Sequence, residues 1–223
     1  MLGEKLTALK KELIEYANFV QSMFDKSIKG LRKKDEVSLQ DIINKDEPRA
    51  NKEEIQLDKL CTVLIAQYEP RASDLRTVLM ILKINNDLER MADHVINITE
   101  SSLFLIARPS MGMLDDVVKM SDLTSKMLQN SVDSFISKDV EKAKLVCRTD
   151  RQVNELRDRI VEKLVSLMSV DSHNIERALH LMRITSNLER ISDLTTNICE
   201  DVIFMVEGQV IKHHHGQEEQ ENK

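Results

Sequence analysis

Hydrophobic residues recur at helical spacing along almost the whole chain. Leu6, Leu9, Leu13, Tyr16, Val20, Met23 and Ser27 fall on one face of a first helix, predicted from about Glu4 to Gly30. Gly30 and the basic run behind it suit a helix C-terminus. The run Lys29 to Lys34 is read as a solvated helix end. A second helix is expected from about Asp35 to Tyr68, with an irregularity near Pro48 and a local restart at Asp46-Glu47. Glu69-Pro70-Arg71-Ala72-Ser73 makes a turn. A third helix follows to about Ala107 and stops at Arg108-Pro109-Ser110. The pattern then starts again. A fourth helix is expected over Leu114 to Ser137, a fifth from Asp139 to Ser169, and a sixth from an Asp171-Ser172 N-cap to Glu207. The long members have ~30 residues, hence ~45 Å of rod. Rods of that length cannot bury their apolar stripes alone, and short connections favour antiparallel bundling.

The second half repeats the first. Ile84-Asn85-Asn86-Asp87-Leu88-Glu89-Arg90-Met91-Ala92-Asp93 lies against Ile184-Thr185-Ser186-Asn187-Leu188-Glu189-Arg190-Ile191-Ser192-Asp193. The match runs on through Asn97-Ile98 and Asn197-Ile198 to Glu100 and Glu200. Upstream the spacing widens by four residues: Met23 matches Met127, Ser27 matches Ser131, Lys34-Asp35 matches Lys138-Asp139, and Asp46 matches Asp150. The expected architecture is all-α, two tandem pseudo-symmetric three-helix bundles of six long antiparallel helices. Their predicted bounds are residues 1–109 and 110–209. Residues 210–223 form a polar tail, expected to fray, whose His213, His214 and His215 are read as solvated.

Composition narrows the classes. Hydrophobic residues make up 41% of the chain and aromatics only 3%, so the core is aliphatic and Met-rich. A net charge of −6 disfavours nucleic acid as the main partner. Cys61, Cys147 and Cys199 are odd in number and widely spaced, with no Cys-x-x-Cys or Cys/His metal spacing. They are read as reduced core fillers in a cytoplasmic protein. The N-terminus shows no signal-peptide apolar run, and no stretch approaches the ~20 apolar residues of a membrane span.

The candidate chemistry lies on two acidic stripes. Glu89, Asp93, Asn97 and Glu100 share one side of the third helix, opposite Ile84, Leu88, Met91, Val95 and Ile98. Glu189, Asp193, Asn197 and Glu200 repeat the arrangement on the sixth. Like charges one turn apart repel by ~0.2–0.5 kcal/mol per pair, and a bound cation removes that repulsion. A neighbouring helix has to supply further oxygen ligands. Asp150 with Asn154 does so in the second half. In the first half the counterpart is Glu47 with Asn51, preferred because both bear oxygen, or in strict register Asp46 with Ala50. Spacing alone also fits a bare acidic face. Arg90 and Arg190 are read as surface ion-pairing groups, and His94 and His180 as structural or solvated.

Pro70-Arg71-Ala72-Ser73-Asp74-Leu75-Arg76, leading into Asp87-Leu88-Glu89-Arg90-Met91-Ala92-Asp93-His94, together with Asn187-Leu188-Glu189-Arg190-Ile191-Ser192-Asp193, closely resembles the PhoU family. The resemblance covers about Leu6 to Gly208. It implies a cytoplasmic, often dimeric, non-enzymatic regulator of phosphate uptake and of phosphate-starvation signalling. Its implied partners are the phosphate ABC transporter ATPase and a phosphate-sensing histidine kinase. It also implies multinuclear iron or zinc on the bundle surface, held here by Glu47, Asn51, Glu89, Asp93, Asp150, Asn154, Glu189 and Asp193. Asn51 and Asn154 stand where family members can carry Asp, which lowers the ligand charge. Two other readings are open. In a carboxylate-bridged di-metal enzyme a His would follow each Glu by three, where Ala92 and Ser192 stand instead. The other is a metal-free adaptor of a transport complex.

Overall fold

The computed structural model describes residues 2–207. Its first rod, α1 (Leu2–Lys33), buries the predicted stripe from Leu6 to Ser27 and adds Phe24, Ile28 and Leu31. The second rod comprises α2 (Glu36–Asp41), one wide π-helical turn (Ile42–Asp46) and α3 (Glu47–Tyr68). The third is α4 (Ser73–Ile106). The second half supplies α5 (Leu114–Ser137), α6 (Val140–Val170), a short 3-10 turn (Ser172–Asn174) and α7 (Ile175–Glu207). Asp171 caps that short turn by accepting from the His173 amide, so α7 starts later than the expected N-cap.

Both halves turn the first corner with the same device. Lys34 (φ 54°) and Lys138 (φ 55°) adopt the left-handed conformation and stop α1 and α5. The next residue's amide returns to the helix end, Asp35 to the Gly30 carbonyl and Asp139 to that of Ser134. The same two aspartates then cap the following helix, on the amides of Ser38 and Lys142.

The wide turn inserts one residue into the first half. Before it, buried Leu39 and Ile42 correspond to buried Ala143 and Val146, a spacing of 104. After it, buried Ala50, Leu57 and Cys61 correspond to Val153, Ile160 and Leu164, one residue closer. A π-turn is how a helix accommodates a single extra residue, and here it lies just ahead of Pro48. The register past the turn pairs Glu47 and Asn51 with Asp150 and Asn154.

α4 and α7 lie side by side and antiparallel. Lys83 pairs with Asp201 at 2.9 Å, and Arg183 pairs with Glu100 at 2.9 Å, near the two ends of the crossing. Burial along residues 81–93 is reproduced position for position along 181–193. The buried apolar side chains of both halves form one continuous cluster. Cys61 and Cys199 are buried within it as expected, whereas Cys147 is only half-buried; all three are free thiols. His94 donates from Nδ1 to Asn187 Oδ1 (2.8 Å), because the Asn187 amide is spent on the Arg183 carbonyl. His180 stacks on Phe104, whose other face carries Arg108. Among the described residues no helix is long and apolar enough to cross a membrane. The His213–His215 triplet lies outside the described residues.

Candidate functional site

In the first half the acidic face lies along α4 where α1 and α3 pack on it. Glu89 is half-buried and Asp93 is exposed. From α3, the carboxylate whose charge reaches Glu89 is Glu54. Burial, then the charges of Asp93 and Glu54, push the Glu89 carboxyl above its usual range; Arg90 opposes the shift. Glu54 is also pushed up, by burial and then by Asp58. From α1, Tyr16 sits beneath them. It is 1% exposed, and its hydroxyl has no hydrogen-bond partner among the described residues. Burial, then the charges of Glu54, Glu89, Glu53 and Asp93, drive its pKa far above that of a free phenol. Glu47 is half-buried at the start of α3. Asn51 is exposed beside Lys52 and Ile55, on the outer side of the helix.

The second half places its residues differently. Asp150 is tucked inward, 3% exposed, although outward display was expected. It accepts from the Ser192 hydroxyl at 2.9 Å and from the Asn154 amide at 2.9 Å. The Ser192 hydroxyl also lies 2.7 Å from the Glu189 carbonyl, so the two acceptors share its one proton. Arg157, one helical turn past Asn154, donates to Glu189 at 2.6 Å. Its guanidinium is held still more firmly protonated by that carboxylate. Asp193 is exposed and Glu189 half-buried, as in the first half.

The structure therefore brings Asp150, Asn154 and Ser192 together, and Glu189 with Arg157. Glu89 feels the charges of Asp93 and Glu54. Asn97 and Glu100, expected on the same acidic stripe, both accept from Arg183 of α7 instead. Sequence reasoning missed Glu54, Arg157, Ser192 and Tyr16. Glu54 and Arg157 were within reach: each continues the stripe of Glu47 and Asn51, or of Asp150 and Asn154, by one more turn. Tyr16 was read as core, and its hydroxyl gave no separate signal.

The iron or zinc implied by the resemblance can be set against these donors. Among the described residues no three His, Cys, Asp or Glu side chains already converge as a metal site. The second-half face fits less well, because Arg157 already pairs with Glu189 and Asp150 is buried away from the exposed Asp193. The first-half face fits by chemistry. Glu54, Glu89 and Asp93 are oxygen ligands of the kind hard and borderline cations prefer, and their mutual repulsion is what such a cation relieves.

Comparison with known proteins agrees with the duplicated architecture. The model of the PhoU domain matches residues 13–102 and 117–202. The chain is 34% identical over 220 residues to a phosphate-specific transport system accessory protein PhoU homolog of Aquifex aeolicus, covering 99% of each. It is 28% identical over 214 residues to the accessory protein PhoU of Escherichia coli, covering 96% of this chain and 88% of that one. The crystal structure of PhoU from Pseudomonas aeruginosa superposes with a TM-score of 0.90 at 27% identity, covering 94% of this chain and 100% of that one. That of the phosphate transport system regulatory protein PhoU from Streptococcus pneumoniae gives 0.88 at 25% identity, covering 96% and 100%. The chain belongs to the PhoU family of phosphate-specific transport system accessory proteins.

Proposed function

We propose that this protein restrains phosphate uptake and phosphate-starvation signalling by binding other proteins rather than by catalysis. The observation that carries the reading is the whole-length match, in sequence and in architecture, to proteins named as accessory and regulatory components of phosphate transport. Its partners on this reading are the ATPase of the phosphate ABC transporter and a phosphate-sensing histidine kinase, met in the cytoplasm by a homodimer. Regulation of this kind requires the bundle to bind one state of its partner more tightly than the other. Moving a partner from mostly active to mostly inactive, from 99:1 to 1:99, takes a preference of about 10⁴-fold between states.

The non-catalytic reading agrees with the acidic faces. Ala92 and Ser192 stand where a di-metal enzyme's Glu-x-x-His motif needs histidine. A cation on the first-half face, iron or zinc, would be held by Glu54, Glu89 and Asp93. It would supply charge neutralisation that draws α3 and α4 together.

Deletion in the source organism tests the regulatory reading. The expected result is phosphatase expression and phosphate uptake that no longer shut down when phosphate is plentiful. Normal repression in the deletion strain would contradict it. The binding half is checked by pull-down of the transporter ATPase and of the kinase's cytoplasmic part with the purified full chain.

A further inference from the structure

We propose that Cys147 and Cys199 are a thiol pair for reversible oxidation, closed by a hydroperoxide into a disulfide that ties α6 to α7. The inference is independent of the regulatory and cation-binding readings above.

Contacts on either side place the two cysteines in one layer. α6 and α7 run antiparallel: Lys144 Nζ meets Glu207 Oε1 at 3.3 Å, and Asp150 accepts from Ser192 at 2.9 Å. Cys147 lies midway between Lys144 and Asp150, and Cys199 lies close to midway between Ser192 and Glu207. The two contacts therefore bracket the cysteines across the same crossing. Their side chains are within hydrogen-bond reach of each other. Ser134 Oγ of α5 lies 4.0 Å from Cys199 Sγ. A bridge needs Cα atoms within ~7 Å and Cβ vectors that converge, and thiols already in reach of one another meet the second condition.

The two thiols are unequal. Cys199 is 0% exposed, whereas Cys147 is half-buried. Contact with Cys199 holds the Cys147 thiol below its usual range, although burial and the charges of Glu200 and Asp150 oppose it. The same contact, then burial, drives the Cys199 thiol far above its usual range. Cys147 is therefore the sulfur that a small oxidant reaches and that ionises first, while Cys199 keeps its proton. The Cys147 thiolate attacks a hydroperoxide oxygen. An S–O bond forms, the O–O bond breaks, and the departing hydroxide takes the proton that the thiol gave up. Cys147 is then a sulfenic acid. The Cys199 sulfur attacks it: the S–S bond forms, the S–O bond breaks, and the hydroxyl leaves as water with the Cys199 proton. Two thiols and one hydrogen peroxide give one disulfide and two waters. A dithiol reductant reverses the change by exchange.

The pair belongs to the second half alone. Ile43 and Thr99 stand at the matching positions of the first half, and neither carries a thiol. Cys61, the third cysteine, is buried in the first half. Burial, then the charge of Asp58, push its thiol up to about 12, so it serves as an internal control.

The test uses the full chain, reduced, freed of reductant and treated with stoichiometric hydrogen peroxide. It is then denatured and alkylated with N-ethylmaleimide without reduction. Intact mass spectrometry is expected to show the alkylated thiols falling from three to one with loss of two hydrogens. Tryptic mapping is expected to find Cys147 linked to Cys199 within one chain. The melting temperature should rise by roughly 5–10 °C and return with dithiothreitol. Cys61→Ser leaves the bridge intact. Cys199→Thr, which copies Thr99 into the second half, leaves Cys147 as a sulfenic acid that dimedone traps. Circular dichroism confirms that each variant is folded. Three free thiols after peroxide, a bridge that includes Cys61, a bridge formed only between chains, or no dimedone adduct in Cys199→Thr overturns the proposal.

Discussion

The helix pairs α3–α4 and α6–α7 are built to one plan yet differ in how they close. Each packs a matched apolar stripe and presents Glu-x-x-x-Asp from its last helix. In the second pair, Arg157, Ser192 and Asn154 satisfy the carboxylates from within. In the first, Glu54 adds charge, and the Tyr16 hydroxyl has no hydrogen-bond partner among the described residues. The two halves keep buried positions in the same places while the charges between the helices differ. Repetition of a fold is therefore weak evidence for repetition of a site.

The core shows the same divergence in volume rather than charge, and the largest expected effect lies there. Gly30 permits Leu39 to sit close: a Cβ at position 30 would stand 2.7 Å from Leu39 Cδ2. The second half places Ser134 and Ala143 at the corresponding positions, a larger residue facing a smaller one. Gly30→Ser is expected to destabilise by about 2–3 kcal/mol in urea unfolding. Adding Leu39→Ala, which completes the second-half pairing, should restore part of that loss despite the cavity cost of Leu39→Ala alone. A purely additive double variant would break the comparison.

A charge difference comes next. Asp87 is 8% exposed, and burial raises its pKa to about 6, while Asn187 occupies the matching position in α7. The folded pKa lies above the unfolded value of ~4, so the folded state holds the proton more tightly. Stability is therefore unaffected below about pH 4 and is lost as pH rises through about 6. Asp87→Asn should raise stability by about 2 kcal/mol at pH 8 and by nothing measurable near pH 4. A pH-independent gain would place the effect elsewhere.

The acidic faces should respond with opposite signs. Arg157→Met strips Glu189 of its partner and is expected to cost about 1 kcal/mol, limited by the partial exposure of both side chains. Glu54→Gln in the first half removes repulsion and should stabilise the metal-free protein by about 0.3 kcal/mol at pH 7. Arg151→Met, which breaks a well-exposed pair with Glu155, serves as the reference and should change stability by less than ~0.5 kcal/mol. The same sign for Arg157→Met and Glu54→Gln would erase the distinction between the halves.

Much of this was legible in the sequence because helical periodicity and capping are local. The break after Ser137, the Lys-Asp corners and the paired Leu-Glu-Arg motifs read directly from residue order. The wide turn did not, because one extra residue becomes a π-turn only when packing on both sides of it fixes the register. That is why Asp46 with Ala50 competed with Glu47 and Asn51. The stripes of α4 and α7 were found, but Glu54 and Arg157, one turn beyond Asn51 and Asn154, were not. Which turn of one helix meets a given turn of another depends on crossing geometry, and residue spacing within a helix does not contain it. Asp150 was expected outward for the same reason: a hydroxyl from α7 makes its burial tolerable, and Ser192 lies 42 positions away.

The measurement that bears most directly on the central claim is anomalous diffraction at the zinc edge from crystals of the full chain soaked in Zn²⁺. The account predicts a peak beside Glu54, Glu89 and Asp93 and none beside Arg157 and Glu189. Equal peaks on both faces, or a peak on the second face alone, would contradict it.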